Sequence, residues 1–413
     1  GLPLHARSGE ERWNVRGLAG RATGEFLRRP AFLRGGGFYG AEVLANLCAA
    51  RPRAPSRALV ASISSTPRVG GPSVHHPENR GNMPIGWGHR VDRAQCGTSN
   101  DTAYLQRRAD ILQACGEICR TERLLRNSAP FGCVRKPVNC NALWSTTVDT
   151  ARPITRVPRD VPCSMWDDYS MGGQANVTGS YTRTLKAAKA VVFRNSTLSA
   201  MKLKAEQHMM RGTYSALVSN SLLDALDATR HLDVRGKRVL VIGTEIPWVE
   251  VALIVSGAAH VTTLEYGKLV SEHPQISTAT PASIRESFLR GGIVPFDAVV
   301  TFSSVEHSGL GRYGDPLNPW GDLLAIARAW CITREGGHLL IGVPFEGKGR
   351  DRVIWNVHRV YGPSRYPHLA ANWKLVEQLP AVGGTHESLK SSWQRLHLFR
   401  RLPPSESVRE CYH

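Results

Sequence analysis

Between Arg238 and Val343 the chain alternates short β-branched runs with helix-length segments, and this alternation narrows the fold more than any other feature. Arg238-Val-Leu-Val-Ile242 ends at Gly243. Pro247 then suits a first helical turn, where its missing N–H costs nothing, and Gly257 suits the helix end near Ser256. His260-Val-Thr-Thr-Leu264 is a second strand, followed by Glu265. A helix is expected over 281–290 and a strand over Phe296-Asp-Ala-Val-Val-Thr-Phe302. Asp322–Cys331 reads as helix and Gly337-His-Leu-Leu-Ile-Gly-Val343 as strand. Such alternation builds βαβ units around a parallel sheet. The strands near 238–243, 260–265, 297–302 and 338–343 are therefore expected side by side, with Gly243, Glu265 and Ser303 at one edge.

The flanks read differently. Residues 1–100 are basic and rich in Pro, Gly and Ser, with Ala61–Gly81 reading as linker or disorder. Residues 101–196 form a Cys-containing segment. It opens on a helix over 101–127 that Asp101 or Asn100 can cap, and it is loop-rich over 128–180. The Rossmann-like domain is drawn over 197–385, entered through helical 197–230, with 386–413 as a C-terminal tail. No internal repeat is present. Hydrophobic residues make up 42% and charged residues 21%, a globular balance. No apolar run reaches the roughly 18 residues that a transmembrane helix needs.

The net charge is +18, and residues 1–163 hold 24 Lys+Arg against 12 Asp+Glu. A basic half can meet nucleic acid, an anionic membrane or an acidic glycan, or reflect a high use of arginine. No aromatic-interleaved basic stripe or recognition helix accompanies it, which disfavours nucleic acid. Six of nine cysteines lie between Cys96 and Cys163: Cys96, Cys115, Cys119, Cys133, Cys140 and Cys163. The cluster predicts disulfides among these residues, and no CxxC pair or Cys-His spacing points to a metal. Cys115 and Cys119, four apart on one helix face, are expected to bond elsewhere rather than to each other. Sequons begin at Asn100, Asn176 and Asn195. Together these features point to the secretory pathway, in the Golgi lumen or outside the cell, and a signal peptide or membrane anchor upstream of Gly1 is compatible with that. Reduced thiols in the cytoplasm are the competing reading.

In a parallel sheet, ligands bind beyond the carboxyl ends of the strands. Glu265 follows Gly243 by 22 residues, the spacing at which an acid reaches the ribose of an adenosine cofactor. A pyrophosphate needs glycine-rich backbone donors. Here Glu245 and Pro247 follow Gly243, which is hostile to a phosphate but suited to the cationic amine of S-adenosylmethionine. Gly243, Glu245, Glu265, Ser303 and Ser304 are therefore the candidate cofactor-binding residues. The polar segment Ser303–Asp315 supplies Glu306 and His307 as general base and partner, with Asp315 beside them as a third candidate catalytic residue. Arg312, His358, Arg359 and Tyr361 are candidate substrate contacts, and a structural turn held by backbone hydrogen bonds is the competing reading.

Val241-Ile-Gly-Thr-Glu-Ile-Pro-Trp-Val-Glu250, His260-Val-Thr-Thr-Leu-Glu-Tyr266 and the long motif from Phe302 to Asp322 resemble the domain of unknown function 268 family. Ile354-Trp-Asn-Val-His-Arg-Val-Tyr-Gly362 and Ala371-Asn-Trp373 extend the likeness, which runs from about Leu222 to Leu379. The resemblance implies an α/β, Rossmann-like fold of the class I methyltransferase type. In that wider class an acid ends the second strand, matched by Glu265, and a Glu-His pair often follows a later strand, matched by Glu306 and His307. Its several glycines in the first motif are reduced here to Gly243. The leading functional expectation is S-adenosylmethionine-dependent methyl transfer in the secretory pathway, with a glycan or other hydroxyl as acceptor. A non-catalytic binding protein, or another Rossmann enzyme acting on glycans or nucleotides, is the alternative.

Overall fold

The computed structural model describes residues 101–121, 133–147, 154, 157–179, 190–213, 216–227, 231–347, 349–379 and 394–404. All lie within the compact unit Asn79–His413. The expected features of residues 1–100, including Cys96 and the Asn100 sequon, lie outside the described residues.

The centre is a seven-stranded sheet. Its strands are β1 (Arg238–Ile242), β2 (His260–Leu264), β3 (Ile276–Ala279), β4 (Phe296–Phe302), β5 (Thr333–Pro344), β6 (Trp373–Gln378) and β7 (Gln394–Arg401). The spatial order is β3-β2-β1-β4-β5-β7-β6. Neighbours from β3 to β5 pair in parallel, while β7 runs antiparallel to both β5 and β6. The chain reverses its direction of progress between β1 and β4, so a switch point falls there. Gly243, Glu265 and Ser303 follow β1, β2 and β4 and share the carboxyl edge, as the strand pattern predicts.

Both faces of the sheet are covered, which explains why the central strands are nearly all apolar. Side chains alternate across a strand, so neighbouring residues enter different cores. Val239, Val241, Val300 and Leu340 pack with the helix α1 (Trp248–Val255) and with helices Asn195–Glu206 and Ala216–Ala225. Leu240, Val299, Leu339 and Ile341 pack with α2 (Pro281–Leu289) and α3 (Gly321–Cys331). The expected helical stretch 197–230 is thus two helices. α2 begins at a capping box in which Thr280 and Ser283 satisfy each other's backbone amides.

The Cys-containing segment shares the second of these cores rather than standing apart. Its first helix, Thr102–Cys115, is capped by Asp101, whose carboxylate accepts from the Tyr104 amide at 2.9 Å. Ile111, Leu143 and Trp144 enter the core beside the sheet, and Trp144 stacks on Phe288 at 5.7 Å. Two expectations about cysteine pairing are corrected. Cys115 bonds to Cys119, because the α-helix stops at Gly116 (φ 55°) and a 3-10 turn brings their Cα atoms to 5.6 Å. Cys140 leaves the cluster and bonds to Cys331 at the end of α3. Cys133 and Cys163 are also disulfide-bonded, so every described cysteine is oxidised.

The Cys140–Cys331 bridge ties the helix Cys140–Ser145 to α3 across 191 residues of sequence. Replacing both cysteines by alanine should lower the unfolding free energy by about 2–4 kcal/mol, through loop-closure entropy returned to the unfolded chain. Denaturant titration of oxidised protein measures this; an unchanged midpoint would mean that the two elements are held by packing alone.

The assignment of 386–413 to a tail is also corrected for the described residues 394–404. Leu396 and Leu398 point into one core while Phe399 enters the other, and β7 is an interior strand. A smaller sheet joins Asn176–Thr178 to the hairpin Arg352–Ile354 and His358–Val360. Asn176 is therefore half-buried in a strand, whereas Asn195 is exposed at a helix start. No described helix is long and apolar enough to cross a membrane.

Candidate active site

The first two strand ends and the loop after β4 meet at Gly243. Its φ is +72°, and a Cβ there would lie 1.7 Å from Ser304 Oγ and 3.6 Å from Glu265 Oε2. Only glycine permits that approach. Gly243, Ser304 and Glu265 are thus brought together. Glu265 accepts from the amides of Tyr266 at 2.8 Å and Thr244 at 3.2 Å, which locks the end of β2 to the turn after β1. Burial raises its carboxyl above the ordinary range, and the backbone donors act the other way. Glu245 sits one residue beyond that turn and is exposed.

Beneath this corner lies an acid that the sequence reading passed over. Glu250, in the first turn of α1, is fully buried. Its Oε1 accepts from Thr263 Oγ1 at 2.7 Å, while Oε2 is buried with no partner. Burial pushes its carboxyl up to about 8, and the Glu265 charge adds to the shift. A glutamate within the otherwise apolar Trp248–Val255 was the available signal.

The loop after β4 is built on strain. Ser303 adopts φ +49°, a left-handed conformation costing about 1–2 kcal/mol for an L-residue. Its amide donates to the Gly342 carbonyl at 2.7 Å, and its hydroxyl donates to Glu306 Oε1 at 2.7 Å. Gln394, at the start of β7, donates to the same hydroxyl at 2.9 Å. Because β7 is antiparallel, its first residue reaches the carboxyl edge of the parallel strands. Sequence reasoning missed Gln394 because it was assigned outside the domain.

Glu306 is fully buried, and its Oε2 has no partner. Burial raises the carboxyl to about 7 against the opposing pull of Ser303 and the arginines. His307 follows in the same 3-10 turn, with Nε2 3.7 Å from Glu306 Oε1. Its Nδ1 meets the Val357 carbonyl, an acceptor, so Nδ1 carries the hydrogen and Nε2 the lone pair. Burial lowers the imidazole to about 3, and Arg312 contributes to that shift. The sequence-predicted pair is therefore assembled as a neutral imidazole beside an acid titrating near neutrality.

Three predicted site residues take other positions. Asp315 is buried, and its carboxylate accepts from the amides of Gly309 at 2.6 Å, Gly311 at 3.2 Å and Tyr313 at 3.3 Å. It braces the loop from inside. Gly309 is compelled here, since a Cβ would stand 1.9 Å from the Asn318 carbonyl. Arg359 and Tyr361 are also corrected to supports. Arg359 donates to the Ser308 carbonyl at 2.6 Å, and Tyr361 donates to Asp322 at 3.0 Å. Both are almost fully buried. Arg312 and His358 instead stand at the rim, His358 with its ring 6.1 Å from that of His307.

The strand order, the two-sided covering and the acid after β2 define a Rossmann-like α/β domain of the class I methyltransferase type. Residues 236–398 match the family described as "Caenorhabditis protein of unknown function, DUF268". No curated protein matches the chain. Among solved structures, a protein from Streptococcus mutans assigned as a SAM-dependent methyltransferase is 12% identical, with a TM-score of 0.26. The alignment covers 44% of this chain and 47% of that one, so this chain spans about half its length. One from Listeria monocytogenes assigned as an S-adenosylmethionine dependent methyltransferase is 10% identical over 46% of this chain and 100% of its own, with a TM-score of 0.30. TehB from Haemophilus influenzae is 13% identical over 49% and 66%, with a TM-score of 0.28.

Proposed function

We propose that the protein is an S-adenosylmethionine-dependent methyltransferase acting on a hydroxyl group. The observation that carries this reading is Glu265: a carboxylate at the end of β2, locked to the turn after β1 beside a glycine that admits no side chain. An acid so placed suits the two hydroxyls of a ribose. No glycine-rich turn is present for a pyrophosphate, and Glu245 and Glu265 give the corner an acidic character that favours a cationic ligand. The residues fit the cofactor on these grounds. Gly243, Ser304 and Glu265 would hold its nucleoside end and Glu245 its amine. Bound there, it would supply an electrophilic methyl group.

Transfer to an alcohol requires removal of the hydroxyl proton. Glu306 is the base in this reading, since Oε2 has no internal partner and the carboxyl titrates near 7. His307 stays neutral far below physiological pH, so it lines the pocket beside Glu306 as an uncharged ring rather than holding the proton. Ser303 and Gln394 fix the other carboxylate oxygen through their hydrogen-bond chain. The acceptor is a glycan hydroxyl in this proposal. The fully oxidised set of described cysteines and the exposed sequon at Asn195 support a secretory-pathway setting.

Calorimetry with S-adenosylmethionine and S-adenosylhomocysteine tests the cofactor. Glu265→Ala should weaken binding about tenfold to a hundredfold, the equivalent of one or two charge-assisted hydrogen bonds. Wild-type protein that binds neither ligand at millimolar concentration overturns the reading. Tight binding that survives Glu265→Ala means the ribose sits elsewhere.

A further inference from the structure

At the rim of the same edge, the post-β4 loop and the hairpin Arg352–Val360 bring His307, Arg312 and His358 together, and the Arg352 charge acts on His358. His307 lies edge-on to Tyr313 at 5.4 Å and to His358 at 6.1 Å. The Arg312 guanidinium stands 5.6 Å from the Tyr313 ring centroid, and its Nη1 touches the Val357 carbonyl at 3.4 Å, the same carbonyl that anchors His307. Its Nε is buried with no acceptor. Arg352, from the hairpin, spends one nitrogen on Glu346, and its own Nε is likewise buried without an acceptor.

The two guanidinium groups are not equivalent. Arg352 has a carboxylate partner, while Arg312 forms no ion pair among the described residues. The carboxyl that acts on Arg312 through charge is Glu306, which burial keeps protonated below about pH 7. Burial is the main reason that His307 and His358 are held neutral, and the Arg312 charge adds to the effect on both. The rim thus carries concentrated positive potential and two N–H donors with nothing to donate to. A buried donor left unsatisfied costs about 1–3 kcal/mol, and an acceptor brought by a ligand would recover that cost. A planar guanidinium fork matches the oxygens of a carboxylate, sulfate or phosphate.

We infer that Arg312, Arg352, His307 and His358 form a binding site for an oxyanion group carried by the acceptor substrate. The methyl acceptor is then an acidic molecule, with its anionic group on Arg312 and the reacting hydroxyl beside Glu306. This rests on the methyltransferase reading for the word acceptor, but not for the anion site. An anionic ligand neutralises Arg312, and it also offsets the charge that adds to burial in lowering the two imidazoles.

The test uses the full chain with its disulfides intact. Inorganic sulfate, glucuronate and neutral methyl glucoside are titrated by calorimetry and by histidine side-chain NMR, with S-adenosylmethionine binding measured in parallel. Glucuronate and sulfate should bind saturably and move two imidazole signals; methyl glucoside should do neither. Glucuronate binding more tightly than sulfate would place an acidic sugar there, and the reverse order a sulfated or phosphorylated group. Arg312→Gln should weaken the anions about tenfold, and Arg312→Lys should recover part of the loss. Anion binding that is absent in wild type, or unchanged in Arg312→Gln, overturns the inference. Protein that binds S-adenosylmethionine but no anion loses only this proposal. Protein that binds the anion through Arg312 but no S-adenosyl ligand keeps it and loses the methyltransferase.

Discussion

Glu306→Gln is expected to reduce methyl transfer by about 10²–10⁴-fold, the usual contribution of a positioned general base, while S-adenosylmethionine affinity stays at the wild-type value. The amide keeps the shape of the side chain and can still meet the Ser303 hydroxyl, but it cannot accept the proton. With Glu306 as the proposed base, the active form in wild type is the carboxylate. With the carboxyl raised to about 7, the transfer rate should climb as pH rises towards and past neutrality, then level off. The variant should show no such step. His307→Ala should lower the rate and leave the inflection near 7, because the imidazole is neutral over that whole range. A pH profile of single-turnover transfer on each variant separates these outcomes. Glu306→Gln retaining wild-type rate would remove Glu306 from the chemistry. An inflection that moves with His307 rather than Glu306 would exchange their roles.

Much of the sheet was legible because its strands are buried on both faces. Val239–Ile242 is a continuous apolar run and Ala298–Phe302 is interrupted only by Thr301, and such runs announce themselves. β7 did not. It lies at the far side of the sheet, carries Arg395, His397, Arg400 and Arg401, and looks polar in isolation. Its alternation of Leu396 and Leu398 was present, but two positions are a thin signal. β3, with Ser277 and Thr278 at the sheet edge, was missed for a similar reason.

The candidate site was half legible. Residue type and spacing put Gly243, Glu265, Ser303, Glu306 and His307 at or just after strand ends, which converge in a parallel sheet. They could not distinguish polar residues that face the site from those that hold it up. Asp315, Arg359 and Tyr361 carry site chemistry in their side chains, yet backbone groups and Asp322 already occupy it. That distinction depends on which groups the loop leaves unsatisfied, and only the fold reveals it. The same holds for Cys115 and Cys119, where one glycine changes the helix geometry on which the pairing expectation rested.

Asp322 is the residue on which that support converges, and its loss should be the most damaging single change to stability. It is fully buried at the start of α3. Arg365 grips it with Nη2 at 2.6 Å and Nε at 2.8 Å, Tyr361 donates at 3.0 Å, and Arg359 Nε lies 3.7 Å away. Both arginines also reach the Pro319 carbonyl, so the carboxylate organises the end of the site loop as well as the helix. Asp322→Ala leaves two buried guanidinium groups without the carboxylate that pairs with both. Breaking such a group by removing one partner costs about 3–5 kcal/mol, a large part of a typical domain's stability of about 5–15 kcal/mol. The pH dependence follows from the same geometry. Burial works to raise the Asp322 carboxyl, but Arg359 and Arg365 outweigh it and hold it below the ordinary value. Its folded-state value is depressed, so its contribution is fully present above the unfolded value of about 3.9 and is lost as pH falls through the folded one. Asp322→Asn should therefore be destabilised at neutral pH and lose less of its remaining stability than wild type between about pH 4 and the acid transition. Denaturant titrations at neutral and acidic pH measure both effects. A neutral-pH loss of under about 1 kcal/mol for Asp322→Ala would show that water or repacking satisfies the two arginines, and that the site loop does not depend on this carboxylate.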